Sequence, residues 1–406
     1  MLQQSVLKHI PRRGDGVWEG AAIGFDAAIF QNGDITEVQA VGAMPTCRVP
    51  EGYPLTAGEL AWITAENQLA VKGVFGREDT PTGNDREPVM RNAAGEESHS
   101  GREVVARVEN HCGREVAAQI LLVAGMSCPE KVIRSQMQRL AQFAAQRGCP
   151  IVGGNTVHFQ EGEDLLVQVV LTANRGQSDA PAVTAKEKAS NVPATMPKAK
   201  DRVYFLGEAG ALGADLLVKA HRDSLRERFS DSYIETMEYI SEKERAISPG
   251  ETGTAGISST EHAAEAFLVK NKAIAALEAG AVFLHDVSNG GVHAALYQLA
   301  EAAGCGIHVR HEGLTIRQSV IELSEALNIN PYLLLGTGGL LAVVPEEAAE
   351  LFERTMKKRS SFPWSYAGHL TKEKARVITA ENFHMERYLN LPEGDAIDDV
   401  IRKAKQ

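Results

Sequence analysis

His285-Asp286-Val287-Ser288-Asn289-Gly290-Gly291 opens the stretch HDVSNGGVHAALYQLAEAAGCGIHV, residues 285–309. Residues 282–285 are an apolar run of strand length. After the glycines, Val292, Ala295, Leu296 and Leu299 recur at three- and four-residue spacing, the stripe of an amphipathic helix. A strand, a Gly-rich turn and a helix therefore follow one another. Backbone N–H groups at such a helix start can hold an anion, and a neighbouring carboxylate can hold Mg²⁺, which prefers oxygen ligands and phosphate oxygens. The same residues have a plainer use, in which Asp286 or Ser288 caps the helix and the glycines make the turn.

Working outward, the second half alternates in the same way. Residues 203–206 read as a strand, 207–213 as a turn, 214–228 and 260–279 as helices, and 338–344 as a buried strand. Pro345 then starts a helix with Glu346 and Glu347 favourably placed in its first turn and Ala348, Leu351, Phe352 and Met356 as its inner face. In the first half, residues 21–30, 38–44, 120–124 and 165–171 read as strands and 57–72 as a helix. Ile133, Met137, Leu140 and Ala144 mark a helix over 129–147, with Pro129 near its start and Gly148 just past its end. Residues 150–152 form a short strand ending in a turn, Gly153-Gly154-Asn155-Thr156. Paired glycines let a backbone approach a ligand, and Asn155 or Thr156 can donate to phosphate or coordinate through oxygen; a simple tight turn needs the same residues. Each half thus has the elements of an α+β domain, and strand order does not follow from the pattern.

The chain has 406 residues, with 42 Lys+Arg against 53 Asp+Glu, a net charge of −11. That length suits two or three domains. Residues 76–101 are charged, Gly-rich and nearly without apolar side chains, and read as an insertion loop. Residues 179–200, rich in Ala, Pro and Lys, read as a linker. The division is therefore 1–178 and 201–406. No apolar run reaches the roughly 20 residues of a membrane span, and the N-terminus lacks a signal-type apolar core. The acidic balance argues against a general nucleic-acid binder. Five cysteines (Cys47, Cys112, Cys128, Cys149, Cys305) without a CxxC pair fit a reduced cytoplasm and neither a disulfide framework nor a zinc knuckle. GxSxG and Walker A loops are absent, and Gly207-x-x-Gly-x-x-Gly213 lacks the spacing and the acid of a dinucleotide fingerprint.

In this order the pieces resemble a known family. GFDAAIF (residues 24–30) resembles the GDDAAV strand of the AIR synthase (PurM-like) superfamily. The 129–147 helix running into IVGGNT resembles that family's helix followed by GGDT or GGET. Residues 285–309 resemble its HDxTxGGL…EIAEASGVGI segment, and GTGGLLAVVPEE (336–347) its late strand and helix. By these motifs the hydrogenase maturation carbamoyl-dehydratase and thiamine-monophosphate kinase branches lie nearest. The resemblance implies a two-domain α+β protein whose N-terminal domain forms a barrel across a homodimer and whose C-terminal domain is an α/β sandwich. It implies ATP with Mg²⁺ in the cleft between the domains and a small-molecule substrate. By the same resemblance, Asp26, Asn155 and Asp286 are metal contacts, and Arg12, Arg13, Gly153, Gly154, Thr156, Gly290 and Gly291 are phosphate contacts.

The sequence also departs from the family pattern. Phe25 replaces the first acid of the GDD strand and Asn155 the acid of GGDT. No acid follows the second strand in VQAVGAMPTC (38–47). In residues 109–124, Glu115 is only a loose counterpart of the family's NDxxxxGAxP segment. The acceptor cysteines of the hydrogenase maturation and selenophosphate synthetase branches are absent. Two readings result: an ATP-dependent cytoplasmic enzyme that phosphorylates or activates a small metabolite, and a degenerate, non-catalytic dimeric scaffold that binds a nucleotide or a partner.

Overall fold

The computed structural model describes residues 17–19, 26–32, 35–75, 113–159, 161–175, 196–240, 259–380 and 384–404. Arg12, Arg13, Cys112 and the 76–101 insertion lie outside them, as do residues 179–195 of the expected linker.

Strands β1 (Val17–Glu19), β2 (Ala27–Asn32), β3 (Ile35–Pro45), β4 (Gly113–Ala124), β5 (Ile151–His158) and β6 (Leu165–Arg175) form one sheet in the order β1-β2-β3-β6-β4-β5. Alternate residues of β3 and β6, among them Val38, Ala40, Met44, Val167, Val169 and Leu171, are buried on one face, as the period of two requires. That face packs on α1 (Ala57–Ala70), which is buried nearly all round. A capping box starts α1: the Thr56 hydroxyl accepts the Glu59 N–H, and the Glu59 carboxylate accepts the Thr56 N–H. The buried Glu59 charge is paired by the Arg139 guanidinium at 3.0 and 2.9 Å. Arg139 lies on α2 (Glu130–Gln146), whose inner face carries Leu140, Phe143 and Ala144; Phe143 meets Trp62 of α1 edge-on at 6.2 Å.

The expected turn at Gly153–Thr156 is not a turn. β5 runs straight through it to His158, parallel to β4. Gly154, at φ 155°, lies so close to β4 that a Cβ would run into the Ile120 carbonyl, so this glycine serves the approach of two strands. β1 and β5 are the two edges; the described strands make an open sheet and do not close a barrel.

The second sheet contains β7 (Arg202–Leu206), β8 (Phe283–Val287), β9 (Gly306–Arg310), β10 (Gly339–Val344), β11 (Trp364–Thr371), β12 (Arg376–Ala380) and β13 (Met385–Tyr388), in the order β13-β12-β9-β11-β7-β10-β8. Its helices are α3 (Ala211–Leu225), α4 (Asp231–Met237), α5 (Ser259–Glu265), α6 (Lys270–Glu278), α7 (Gly291–Ala303), α8 (Gln318–Leu327), α9 (Ala349–Arg359) and α10 (Ala396–Ala404). β8 and β10 are buried along their whole length. Val292, Leu296 and Leu299 of α7 cover one face with Val287, Leu341 and Val343; Ala273, Phe352 and Met356 of α6 and α9 cover the other with Tyr204, Leu284 and Leu340. Continuous apolar runs such as GLLAVV are what two covered faces demand.

Two expectations are corrected here. Residues 260–279 are two helices, α5 and α6, because the Asn67 side chain takes the backbone between them: its Nδ2 donates to the Phe267 carbonyl and its Oδ1 accepts the Val269 N–H, both at 2.9 Å. After Pro345 a 3₁₀ turn (Glu346–Ala348) precedes α9, and the helix turns Leu351 outward, 49% exposed, while Ala349, Phe352 and Met356 point inward.

Candidate functional site

β8 is the edge strand of its sheet, so half of its backbone N–H groups face away from β10. One of them, that of Asp286, donates to Asp26 Oδ2 at 3.3 Å. Asp26 immediately precedes β2, so this bond ties the first sheet to the second. The His285 Nδ1 lies 3.4 Å from the same carboxylate oxygen and 2.7 Å from the Asp286 carbonyl. A carbonyl can only accept, so Nδ1 carries the proton and the lone pair is on Nε2, which is buried without a hydrogen-bond partner. His285 and Asp286 are 1% and 3% exposed. One ligand atom from each of Asp26, His285 and Asp286 falls within 4.8 Å of the others.

Burial pushes the Asp286 carboxyl well above the usual carboxylate range; the Asp26 charge and its hydrogen bond push the same way, against His285 and Ser288. Burial also lowers the His285 imidazole, with Lys72 adding to it against the pull of Asp286. Two close carboxyl groups in so dry a place need one positive charge between them, either a proton or a cation. The donor set fits a divalent cation: Asp26 and Asp286 offer oxygens of the kind Mg²⁺ takes, and the imidazole adds a nitrogen better suited to softer metals.

The glycines after β8 have a different setting. Gly290 and Gly291 adopt φ 77° and 65°, and a Cβ on Gly291 would run into the Tyr332 carbonyl. The Gly290 N–H donates to Asp395 Oδ2 at 2.7 Å; Asp395 Oδ1 accepts from Leu335 and Ile397 at 3.1 and 3.0 Å. At the N-cap of α7 the Gly290 N–H is therefore taken by a carboxylate of the chain itself. Arg48 closes the arrangement, donating to Asn289 at 2.6 Å and, through two nitrogens, to Asp398 at 2.8 and 2.7 Å.

Of the expected contacts, the fold brings Asp26 and Asp286 together, with Gly290 and Gly291 a few residues beyond. It does not bring Gly153, Gly154, Asn155 or Thr156 to them within one chain. β5 is four strand steps from β2, on the order of 19 Å at about 4.8 Å per step, and these four residues are exposed. His285, Asp395, Arg48 and Asn67 were not singled out by their spacing. Asn67 has a legible signal: Asn67-Gln68 followed by Gly73 matches the spacing of the family's ND…G segment better than residues 109–124 do. In that match the family acid becomes Gln68.

Residues 236–380 match the family described as AIR synthase related protein, C-terminal domain, a span that includes His285 through Gly291 and stops short of Asp395. Carbamoyl dehydratase HypE of Rhodobacter capsulatus is 35% identical over 74 residues, 18% of this chain and 22% of that protein. HypE of Escherichia coli is 27% identical over 124 residues, 30% of this chain and 36% of that protein. The matched stretches thus span between a fifth and about a third of these relatives' length. Among solved structures, E. coli HypE aligns over 98% of this chain and 99% of its own with a TM-score of 0.55 at 15% identity. A hydrogenase maturation protein HypE in complex with ATP aligns over 96% and 90% with a TM-score of 0.50 at 14% identity. AaThiL complexed with AMPPCP and TMP aligns over 92% and 91% with a TM-score of 0.50 at 14% identity. Residues 236–380 are thus similar to the C-terminal domain of AIR synthase-related proteins, and the chain as a whole shares its fold with these solved structures.

Among the described residues no helix is long and apolar enough to cross a membrane.

Proposed function

We propose that this protein binds ATP with Mg²⁺ between its two sheets and uses it to phosphorylate or activate a small metabolite. The observation that carries this reading is the buried Asp26–His285–Asp286 cluster at the junction of the sheets. ATP and AMPPCP in solved relatives of the same fold support it. Asp26 and Asp286 would hold the cation, which when bound supplies positive charge to phosphate oxygens. To serve as a ligand Asp286 would have to be ionised, and His285 is held in one tautomer by the Asp286 carbonyl. Phosphoryl transfer needs positioning and charge neutralisation more than a protein nucleophile, so no covalent intermediate on the chain is required.

The proposal includes a chain divided at 179–200, working in a reduced cytoplasm as a homodimer. Val152, Val157 and Phe159, exposed at 59%, 41% and 63% on and just beyond edge strand β5, are the surface a second copy would cover.

A second reading, nucleotide binding without turnover, is favoured by the Gly290 N–H being held by Asp395 and by neutral side chains at Phe25, Gln68 and Asn155. A thermal-shift titration with ATP, with and without Mg²⁺, decides. A ligand at 100 times its dissociation constant stabilises by about 2.7 kcal/mol. A Mg²⁺-dependent shift followed by phosphate transfer supports the first reading, and a shift without turnover across a metabolite panel supports the second. No shift with any nucleotide refutes both.

A further inference from the structure

A second group of polar side chains sits on the other side of the α7 start. His293, in the first turn of α7, is 5% exposed and its Nε2 has no hydrogen-bond partner. Its ring stacks on Tyr332 at 5.4 Å and 9°. His311, in the 3₁₀ turn after β9, packs on Tyr332 at 4.7 Å and 60°, and its buried Nδ1 is also unpartnered. Arg387 comes from β13. Its register partner is Ile378, whose side chain lies in the core beneath α7, so Arg387 shares that face of the sheet. Arg387 makes no ion pair among the described residues.

We propose that His293, His311 and Arg387 form an oxyanion site, apart from Asp26–His285–Asp286, that takes the phosphate or carboxylate group of a small ligand. Two buried imidazole nitrogens with unmade hydrogen bonds carry a desolvation cost that a bound partner removes. The charge around them selects the sign of that partner. Arg387 acts on His293, His311 and Tyr332 together, while Glu312, beside His311 in the same turn, opposes it on His311 and Tyr332. Burial, then Arg387, then His311 lower His293 to about 3, so its imidazole is neutral and offers one N–H. A cation would meet the unpaired guanidinium, whereas an oxyanion meets that guanidinium and, in the tautomers that place the ring protons on the two unpartnered nitrogens, two N–H donors, a charge-assisted set. Water can fill the same hydrogen bonds, but it brings no counter-charge to the exposed Arg387 guanidinium. Tyr332 supplies an aromatic wall, and its carbonyl lies against Gly291, so the site is fixed to the same turn as the cluster described above.

The test is imidazole ¹⁵N–¹H NMR of the whole chain, titrated separately with inorganic phosphate and with acetate and using chloride as the ionic-strength control. The expected result is a saturable shift of the His293 and His311 resonances with phosphate or acetate and none with chloride. Saturation by one of the two anions identifies a phosphoryl or a carboxylate ligand. Arg387→Gln, on an exposed strand, should keep the melting temperature and weaken binding about tenfold or more. His311→Gln, a second variant, should do the same without touching the strand. Absence of saturation by roughly 50 mM of either anion, a dissociation constant too weak for a built site, overturns the proposal. Affinity unchanged in both variants overturns it as well, and leaves the two nitrogens hydrated.

Discussion

Asn67→Ala should uncouple the two halves of the molecule. Asn67 is 1% exposed on α1, and its amide satisfies the Phe267 carbonyl and the Val269 N–H in the break between α5 and α6. Truncation leaves one buried acceptor and one buried donor without partners, at about 1–3 kcal/mol each, so the loss should be about 2–6 kcal/mol. Asn67→Leu keeps the volume and loses the same two bonds; it should cost nearly as much, which separates the hydrogen bonds from the cavity. Urea unfolding reads the effect directly. Trp62, fully buried one turn earlier in α1 against Phe143, reports by fluorescence on the environment of that helix. The urea midpoint should fall in both variants, and nucleotide-induced stabilisation should shrink, since α6 and β8 follow the break. A loss below about 0.5 kcal/mol in both variants, within the usual range of a surface substitution, would refute the reasoning.

Three further outcomes can be checked. Burial and then Asp26 hold the folded-state pKa of Asp286 above its unfolded value, so the stability this group contributes is full below the unfolded pKa and is lost as pH rises through the folded one; Asp286→Asn should flatten that decline in urea unfolding across pH, and Mg²⁺ should bind the parent more tightly as pH rises and release a proton measurable by calorimetry. Phe159→Glu combined with Val157→Glu should leave melting nearly unchanged and shift sedimentation from a dimer near twice 43.8 kDa to a monomer. Gly291→Ala should destabilise by at least about 1–3 kcal/mol in the same unfolding assay, from a strained φ together with a clash against the Tyr332 carbonyl.

The sheets and most helices were legible because burial leaves a period. The 3.6-residue stripe of α2 and α7, the alternation of β6 and the unbroken apolar run of β10 are direct consequences of one or two covered faces. β5 was not, because both of its faces are exposed and no alternation separates them; its Gly-Gly-Asn-Thr run has the composition of a turn. The break between α5 and α6 left no local mark, since the residue that makes it, Asn67, lies 200 residues away in the chain. In the site, Asp286 and Asp26 were found by motif. His285 was in view without a role, because a neutral buried imidazole with a free lone pair is a property of its surroundings and not of its neighbours in sequence. Asp395 was invisible for the same reason, as three backbone N–H groups from separate segments converge on it.

The distance in sequence between Gly290 and Asp395, 105 residues, sets an order of assembly. Synthesis proceeds from the N-terminus at about 5–20 residues per second, so the α7 start exists for about 5–20 seconds before the carboxylate that closes it has been made. Arg48 waits longer, for a partner 350 residues downstream. During that interval the Gly290 N–H lacks the partner it has in the finished protein. The ring of contacts around the α7 start therefore closes last, when the C-terminal residues have been made.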